Sequence, residues 1–258
     1  MDSGSYAACA GLRAQSEALE VAAHNLANLN TAGFRGQQTD FQSLLAVSHP
    51  TVPNVLNLAT NNFGVLEGSR LDMTPGNLET TGNPLDVGIE GGGFFAIQTE
   101  SGTRYTRNGS FHVSSAGVLV TAAGDPVLGD LAYIDKYDKY KDKKKGVIDV
   151  PAGAVSIASD GTLSVNGAVA GTIQLVQFAA GTKLTSEGGT LIAAPVGSAK
   201  AMPQPTLKQG TLESSNVNPI ASVVTLIGVQ RQAEMLQRAM SLFDTEFNHI
   251  ASTDLAKV

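Results

Sequence analysis

Few residues in this chain have the types and spacing that catalysis or metal binding requires. No pair of histidines has the spacing of an HxxxH or HExxH metal site; the four are His24, His49, His112 and His249. We expect His24 and His249 to be surface or packing residues on terminal helices. Cys9 is the only cysteine, and its alanine-rich surroundings favour a small buried side chain over a nucleophile. The sequence predicts no enzyme, no metal site and no cofactor.

The glycine-rich stretch GIEGGG at 88–93 is the one loop that resembles a phosphate-binding element. It lacks the Lys-Ser/Thr pair of such loops and leads into Phe94 and Phe95, not into a helix. Its pattern favours a sharp turn with close backbone approach. Asp86 and Glu90 flank this turn, and we expect a solvated rim there, not a glycosidase pair.

The charge of the chain is unevenly distributed. Segment 133–145 contains six Lys and three Asp, a local charge of +3, so the remainder carries −6 − 3 = −9. The acidic remainder argues against a nucleic-acid-binding protein, which normally presents a basic face. The segment itself has two interpretations: a basic, aromatic-containing patch for an anionic partner, or a solvated loop or hairpin tip, which its mixed charge favours.

The first twenty residues lack the basic and apolar regions of a cleaved signal peptide. No stretch approaches the 18 consecutive apolar residues that a membrane span needs. Composition alone therefore predicts a cytoplasmic protein, unless export uses a route without a cleaved signal.

Both ends of the chain carry an apolar residue every three or four positions, the repeat that lets two helices pair as a coiled coil. The N-terminal seam consists of Ala8, Leu12, Gln15, Leu19, Ala22, Leu26 and Leu29, in which only Gln15 is polar. The C-terminal seam consists of Leu226, Val229, Ala233, Leu236, Met240, Phe243, Phe247 and Ile250. Two helices cannot bury all of this surface, so the pattern also indicates assembly with neighbours.

Asn, Gly and Pro residues set the expected boundaries of the helices. We predict a helix over 5–29 that ends in the Asn- and Gly-containing segment 28–33, and a second from an Asn218 N-cap and Pro219 to about residue 250. After the first helix we expect a short second helix or an extended arm, which would contain Phe34, Phe41, Leu44 and Leu45.

Alternating apolar residues and tight-turn signals predict β structure in the middle of the chain. The turn signals are Asp160-Gly161 and Asn166-Gly167, between strands expected at 155–157, 162–165 and 172–178. The fold class is α+β: paired terminal helices with an inserted, mainly antiparallel β domain. The divisions are a helical half at 1–45, an extended connector at 46–80, the β domain at 81–209 and a helical half at 210–258.

Three motifs in order resemble the signatures of flagellar rod and hook axial proteins. In segment 19–45 the first motif is Asn25, Leu26, Ala27 and Asn28, followed by Thr31, Gly33, Phe34 and Arg35. Segment 81–129 is similar to the family's β domain, and segment 210–240 to its C-terminal motif, which includes Asn216, Val217 and Asn218. His24, where the family has a small or polar residue, and the Lys/Tyr run depart from the pattern.

The resemblance implies a structural axial subunit of the flagellar basal-body rod, the shaft that transmits motor torque to the hook. Chain length and segment 215–219 favour an FlgF-like proximal rod protein, and an FlgG-like distal rod protein is the alternative. Implied partners are other copies, rod proteins above and below, and the flagellar type III export apparatus. The implied location is the rod crossing the periplasm, reached without a cleaved signal, with neither membrane insertion nor nucleic-acid binding.

Within this picture the seams would form the assembly interface. The residues assigned to it are Leu12, Leu19, Leu26, Leu29, Leu226, Val229, Leu236, Met240, Phe243 and Phe247. Outside the family, the leading alternative is a β-rich binding or adhesion module on a coiled-coil stalk. An enzyme that uses the glycine turn beside Asp86 and Glu90 is the weakest alternative.

Overall fold

The computed structural model describes residues 2–42, 65–129 and 146–255. The chain forms two compact units, each built from separate stretches of sequence. The helical unit comprises Met1–Ala27, Gln37–Arg70 and Asn218–Val258, and the β unit comprises Asn28–Gly36 and Leu71–Val217. The predicted α+β class is confirmed.

Two long helices dominate the helical unit and contact each other. Helix α1 spans Asp2–Ala27 and helix α2 spans Pro219–Leu255. The predicted N-cap is present, because Asn218 Oδ1 accepts hydrogen bonds from the amides of Ile220 at 3.0 Å and Ala221 at 3.1 Å. The two predicted terminal helices are confirmed, with α2 longer than expected.

The strands are short, and every pairing whose register the structure describes is antiparallel. Their bounds are β1 (Gln37–Gln42), β2 (Val65–Leu71), β3 (Leu78–Thr80), β4 (Val87–Ile89), β5 (Phe94–Thr99), β6 (Gly102–Thr106), β7 (Phe111–Val113), β8 (Leu119–Thr121), β9 (Val155–Ile157), β10 (Thr162–Val165), β11 (Ala168–Thr172), β12 (Leu175–Phe178), β13 (Thr185–Ser186), β14 (Ile192–Ala193), β15 (Ala199–Ala201), β16 (Leu207–Gln209) and β17 (Thr211–Glu213). For the segment after Phe34, the extended alternative is confirmed over β1, whereas Leu44 and Leu45 lie outside the described residues.

The β unit is organised around a six-stranded sheet in the order β13-β14-β6-β5-β12-β15 and a three-stranded sheet in the order β11-β10-β9. Apolar side chains from both sheets and from the two-stranded sheets β4-β16 and β7-β8 share one core. This core includes Phe95, Ile97, Leu119 and Leu163. The first strands of the unit, β3 and β4, pair with the last, β17 and β16. The fold of this unit is therefore closed by residues from both ends of its chain.

The predicted single strand over 172–178 is wrong. Thr172 ends β11 in the three-stranded sheet, and β12 of the six-stranded sheet starts at Leu175. Between them the Ile173 amide donates to Gly161 O at 2.9 Å and the Gln174 amide donates to Leu128 O at 3.0 Å. The chain changes sheets here, which the continuous β-rich sequence hides.

Two expectations fall partly or wholly outside the described residues. The predicted connector over 46–80 is described only from residue 65, where β2 and β3 supply short strands. The Lys/Tyr run at 133–145 lies outside the described residues altogether.

Candidate functional site

Small residues occupy the most buried face of helix α1. Gly11, Ala14, Ala18 and Ala22 are buried and follow each other at helical spacing. The predicted seam residues Leu12, Leu19 and Leu26, together with Leu29 just beyond the helix, are half-buried. Small side chains permit a short distance between helix axes, so this alanine face can approach a partner closely.

Helix α2 separates its apolar residues into two opposite faces. Each described seam residue is half-buried: Leu226, Val229, Ala233, Leu236 and Met240. The side chains of Phe243 and Phe247 lie outside the described set. At 100° per residue, a second row points the opposite way. We call it the exposed row, and it comprises Ile220, Val223, Val224, Ile227, Met235 and Leu242, whose exposed fractions range from 41% to 79%.

Arg231 and Arg238 lie on the same face of α2 as the exposed row. They occupy the gaps between Ile227, Met235 and Leu242. They interrupt its apolar pattern, which hides the row in the sequence. A row of exposed apolar side chains along one face of a helix, even one interrupted by two arginines, is typical of an interaction site. The signal lies in the periodicity of residues 220–242, where apolar residues recur on two faces of the helix and the predicted seam covers only one of them.

Inside the β unit, three charged side chains form a cluster that we call the buried triad: Arg35, Arg107 and Glu213. Arg35 Nη2 lies 2.7 Å from Glu213 Oε1, and Arg107 Nη1 lies 3.2 Å from Glu213 Oε2. All three side chains are at most 4% exposed. The triad joins the 31–35 motif, the β6–β7 connection and β17.

Both arginines of the triad also bind backbone carbonyls. Arg35 Nη1 donates to Thr74 O. Arg107 donates to Ile89 O at 3.3 Å and to Gly91 O, and its guanidinium lies 5.5 Å from the centre of the Phe94 ring. The glycine turn thus supplies a carbonyl acceptor to Arg107, and the positive φ of Gly91 and Gly93 confirms the predicted sharp turn.

Burial has the largest effect on the pKa values of the two arginines. Desolvation lowers the pKa of Arg107 to about 10 and also lowers the pKa of Arg35, and the nearby Glu213 carboxylate opposes both shifts. Both guanidinium groups therefore stay charged near neutral pH. Asp72 provides Arg35 with a further opposite charge.

The N-terminal motif residues hold the chain just after α1. Asn25 makes two hydrogen bonds to the backbone of Gln37, each 2.8 Å long. Thr31 Oγ1 lies 3.1 Å from Asn28 Oδ1, and the Phe34 ring is buried. In the same motif, Leu26 is half-buried and Ala27 is exposed.

Gly33 is the tightest point of the motif. Its φ is +69°, and a Cβ built on it would lie 2.2 Å from Asn108 N and 2.3 Å from Arg107 C. Its amide donates to Glu213 O at 2.7 Å. Only glycine fits this conformation and this separation between backbones.

Asn216 joins the two ends of the β unit. Its Oδ1 accepts a hydrogen bond from the Gly36 amide at 2.7 Å, and its Nδ2 donates to Asp72 O at 3.0 Å and Thr74 O at 2.9 Å. The neighbouring motif residue Val217 is half-buried and Asn218 caps α2.

We expect Asn216→Asp to destabilise the β unit by about 2–3 kcal/mol, because a carboxylate cannot donate to the two carbonyls and would repel them. Chemical denaturation followed by circular dichroism measures the change. Asn77→Asp, at an exposed position of the same unit, is the matched control and should shift stability by less than about 0.5 kcal/mol. Equal stability of the two variants would contradict the assigned role of Asn216.

Two expectations about individual polar residues are wrong. Cys9 is exposed in the isolated chain, because it lies off the buried alanine face of α1. Asp86 is buried, and its carboxylate accepts hydrogen bonds from Thr81 Oγ1 at 2.6 Å and Asn83 Nδ2 at 3.0 Å. It stabilises the turn before β4, whereas Glu90 is exposed as expected.

His24 is half-buried, with Nδ1 lying 3.5 Å from Gln37 Nε2, and His112 is exposed. His49 and the side chain of His249 lie outside the described set. Within the described residues, no three His, Cys, Asp or Glu side chains are grouped to hold a metal ion. Nor does that part of the chain contain a helix long and apolar enough to cross a membrane.

Comparison with known proteins connects these motifs to one family. Residues 6–35 match the model of flagella basal body rod proteins, residues 88–165 match the D1 domain of the flagellar hook protein FlgE/F/G group, and residues 208–246 match the C-terminal region of FlgEFG basal body rod proteins. The first and third matches contain the motifs at Asn25–Arg35 and Asn216–Asn218.

Individual relatives align over nearly the whole chain. The flagellar basal-body rod protein FlgF of Caulobacter vibrioides is 31% identical over 93% of both chains, and FlgF of Escherichia coli is 32% identical over 95% of both. The rod protein FlgG of Borreliella burgdorferi is 29% identical over 93% of this chain and 94% of its own. The chain belongs to the flagellar basal-body rod protein family. It is FlgF-like and close to FlgG, since identities to the two groups differ little.

Proposed function

We propose that this chain is a structural axial subunit of the flagellar basal-body rod and polymerises into the shaft that transmits motor torque to the hook. The observation that carries the proposal is the pair of terminal helices, with a solvent-exposed apolar row on α2. Heterologous contacts that do not close on themselves build helical filaments. No step of this function needs a catalytic group, a cofactor or a metal.

The two faces of α2 suggest a division of roles. The half-buried seam around Leu226, Val229 and Leu236 would pair with α1 as a coiled coil and hold the helical unit together. The exposed row would then contact neighbouring subunits, with the remaining seam residues Leu12, Leu19, Leu26, Leu29, Met240, Phe243 and Phe247 extending the interface. Of the predicted helical halves 1–45 and 210–258, residues 1–27 and 218–258 would supply the helix pairing, since residues 28–36 and 210–217 belong to the β unit.

Partners and location follow from the same proposal. The chain would contact other copies and the rod proteins above and below it, in the part of the rod that crosses the periplasm. It would reach this place through the flagellar type III export apparatus. Helices that derive most of their stability from packing suit passage through a narrow channel in an unfolded state.

Within the rod, the proximal, FlgF-like position is our proposal. The distal position is the second candidate, supported by FlgG relatives such as that of Agrobacterium fabrum at 31% identity over 96% of this chain. Deletion of the gene, followed by electron microscopy of isolated basal bodies, tests both. We expect assembly to stop before the hook, and the last rod layer present distinguishes the proximal from the distal position. Complete hooks and filaments in the deletion strain would refute the rod function.

A further inference from the structure

The β unit is closed by two chain segments that lie far apart in sequence. Residues 31–36 lie beside residues 211–216, and the hydrogen bond from the Gly36 amide to Asn216 Oδ1 spans 180 positions. The Gly33 amide donates to Glu213 O at 2.7 Å, and the Asn216 amide donates to Phe34 O at 3.4 Å. The buried triad lies where these segments meet the rest of the unit.

Stability alone does not account for a triad of charges at this point. Burying three ions has a large desolvation cost, and well-packed apolar residues of similar volume often stabilise a protein equally well or better. Two buried polar atoms of the triad, Arg35 Nε and Arg107 Nε, also have no hydrogen bond within the described structure. We therefore look for its role in the selection of one arrangement of the chain over others.

The triad distinguishes one strand register from its neighbours. Along β17, Thr211 and Glu213 are buried and Leu212 between them is half-buried. Because side chains alternate between the faces of a strand, a shift of one residue would turn Glu213 to the other face. Arg35 and Arg107 would then lose the carboxylate that lies 2.7 and 3.2 Å from them. Burial of unpaired charges would make the shifted register costly.

The 31–36 segment has its own constraint on register. Gly33 lies so close to the backbone of Arg107 and Asn108 that any side chain at this place would collide with it. A shift of one residue would bring Ala32 or Phe34 there. Both segments are therefore fixed at the same junction, one by charge and the other by close approach.

We propose that the buried triad of Arg35, Arg107 and Glu213 is a register lock, which admits only one alignment of segment 31–36 against segment 211–216. The proposal concerns the isolated β unit and does not depend on the rod function. It also assigns a physical role to the Arg of the N-terminal motif, as the charge that selects the position of Glu213.

Hydrogen exchange of the full-length protein tests the lock. In Glu213→Gln the side chain keeps an acceptor for the Gly76 amide, bonded at 2.7 Å, but the two arginines lose their counter-charge. We expect exchange at the Gly33 and Gly36 amides to accelerate by about 100-fold or more. The core amide of Val127, bonded to Leu119 O, should change by less than about threefold. Glu79→Gln, exposed on β3 and paired with Leu212, is the control and should leave all three amides unchanged.

Uniform acceleration of all three amides in Glu213→Gln would assign the triad a general stabilising role and overturn the lock, as would unchanged exchange at Gly33 and Gly36. If this variant does not fold, the same exchange measurement on the apolar triple variant Arg35→Met, Arg107→Met, Glu213→Leu tests the lock. The lock predicts a thermal midpoint within a few degrees of the parent, with the Gly33 and Gly36 amides no longer protected. Full protection of both amides, or global unfolding of the triple variant, would overturn it.

Discussion

Met235→Asp is expected to remove this chain from assembled rods while leaving the isolated protein intact. Met235 belongs to the exposed row, on the side of α2 opposite to the seam, and is 63% exposed. In the monomer the aspartate stays in water, so the free energy of unfolding should change by less than about 0.5 kcal/mol. In an assembled interface the same carboxylate would be buried, at a cost of several kcal/mol. We therefore expect at least a tenfold loss of incorporation.

The measurement is immunoblotting of isolated basal bodies from cells that express each variant, together with swimming assays. Gln232→Asp introduces the same charge at an exposed position of the same helix between the two faces, and should incorporate normally. Leu236→Asp, on the half-buried seam, should also block assembly, but through loss of helix pairing, with the β unit still folded. Normal incorporation of both Met235→Asp and Leu236→Asp would refute assembly through the terminal helices.

Gly33→Ala is expected to be among the most destabilising single substitutions in the β unit, with a loss of about 3 kcal/mol or more. The substitution adds strain from the positive φ, about 1–2 kcal/mol, to a collision between its Cβ and the backbone at 2.2 Å. Neither Arg107 nor Asn108 can move its backbone without disturbing the buried triad. Denaturant unfolding, followed through the near-ultraviolet signal of the buried aromatic residues, measures the loss.

Gly82→Ala is the matched control for this substitution. Gly82 has a similar φ of +76°, but an added Cβ would meet nothing within 4 Å. It should therefore show the conformational cost alone, about 1 kcal/mol. The difference in lost unfolding free energy between the two variants measures the cost of the close approach between the backbones at Gly33. Equal losses would show that Gly33 is needed for its backbone angle only.

Sequence patterns predicted the elements of this fold better than their interactions. The apolar repeats and the Asn218-Pro219 signal were sufficient to place both helices, because capping and helical periodicity are local properties. The break between β11 and β12 has no local signal, because neither Ile173 nor Gln174 is a turn residue, and only their partners Gly161 and Leu128 reveal the change of sheet. Cys9 was misplaced because the buried face of α1 centres on its alanines and not on its leucines.

The motifs were visible in the sequence, but their physical roles were not. Arg35 and Gly33 belong to one motif and Asn216 to another, and nothing in the sequence indicates that the two motifs meet. Neither Glu213 nor Arg107 is predictable as a site residue, because a single charged residue carries no sign in the sequence of a buried partner more than 100 positions away. Likewise, the sequence predicts a rim position for Asp86, and only the structure shows that Thr81 and Asn83 donate hydrogen bonds to its carboxylate.

The central claim is that this chain is an axial rod subunit assembled through its terminal helices. The most direct test is electron cryo-microscopy of basal bodies isolated from the native cells, at a resolution that identifies side chains. The account predicts this chain within the rod, with Val224, Ile227 and Met235 buried against a neighbouring subunit. Absence of the chain from intact rods, or a rod in which these three side chains face solvent, would contradict it.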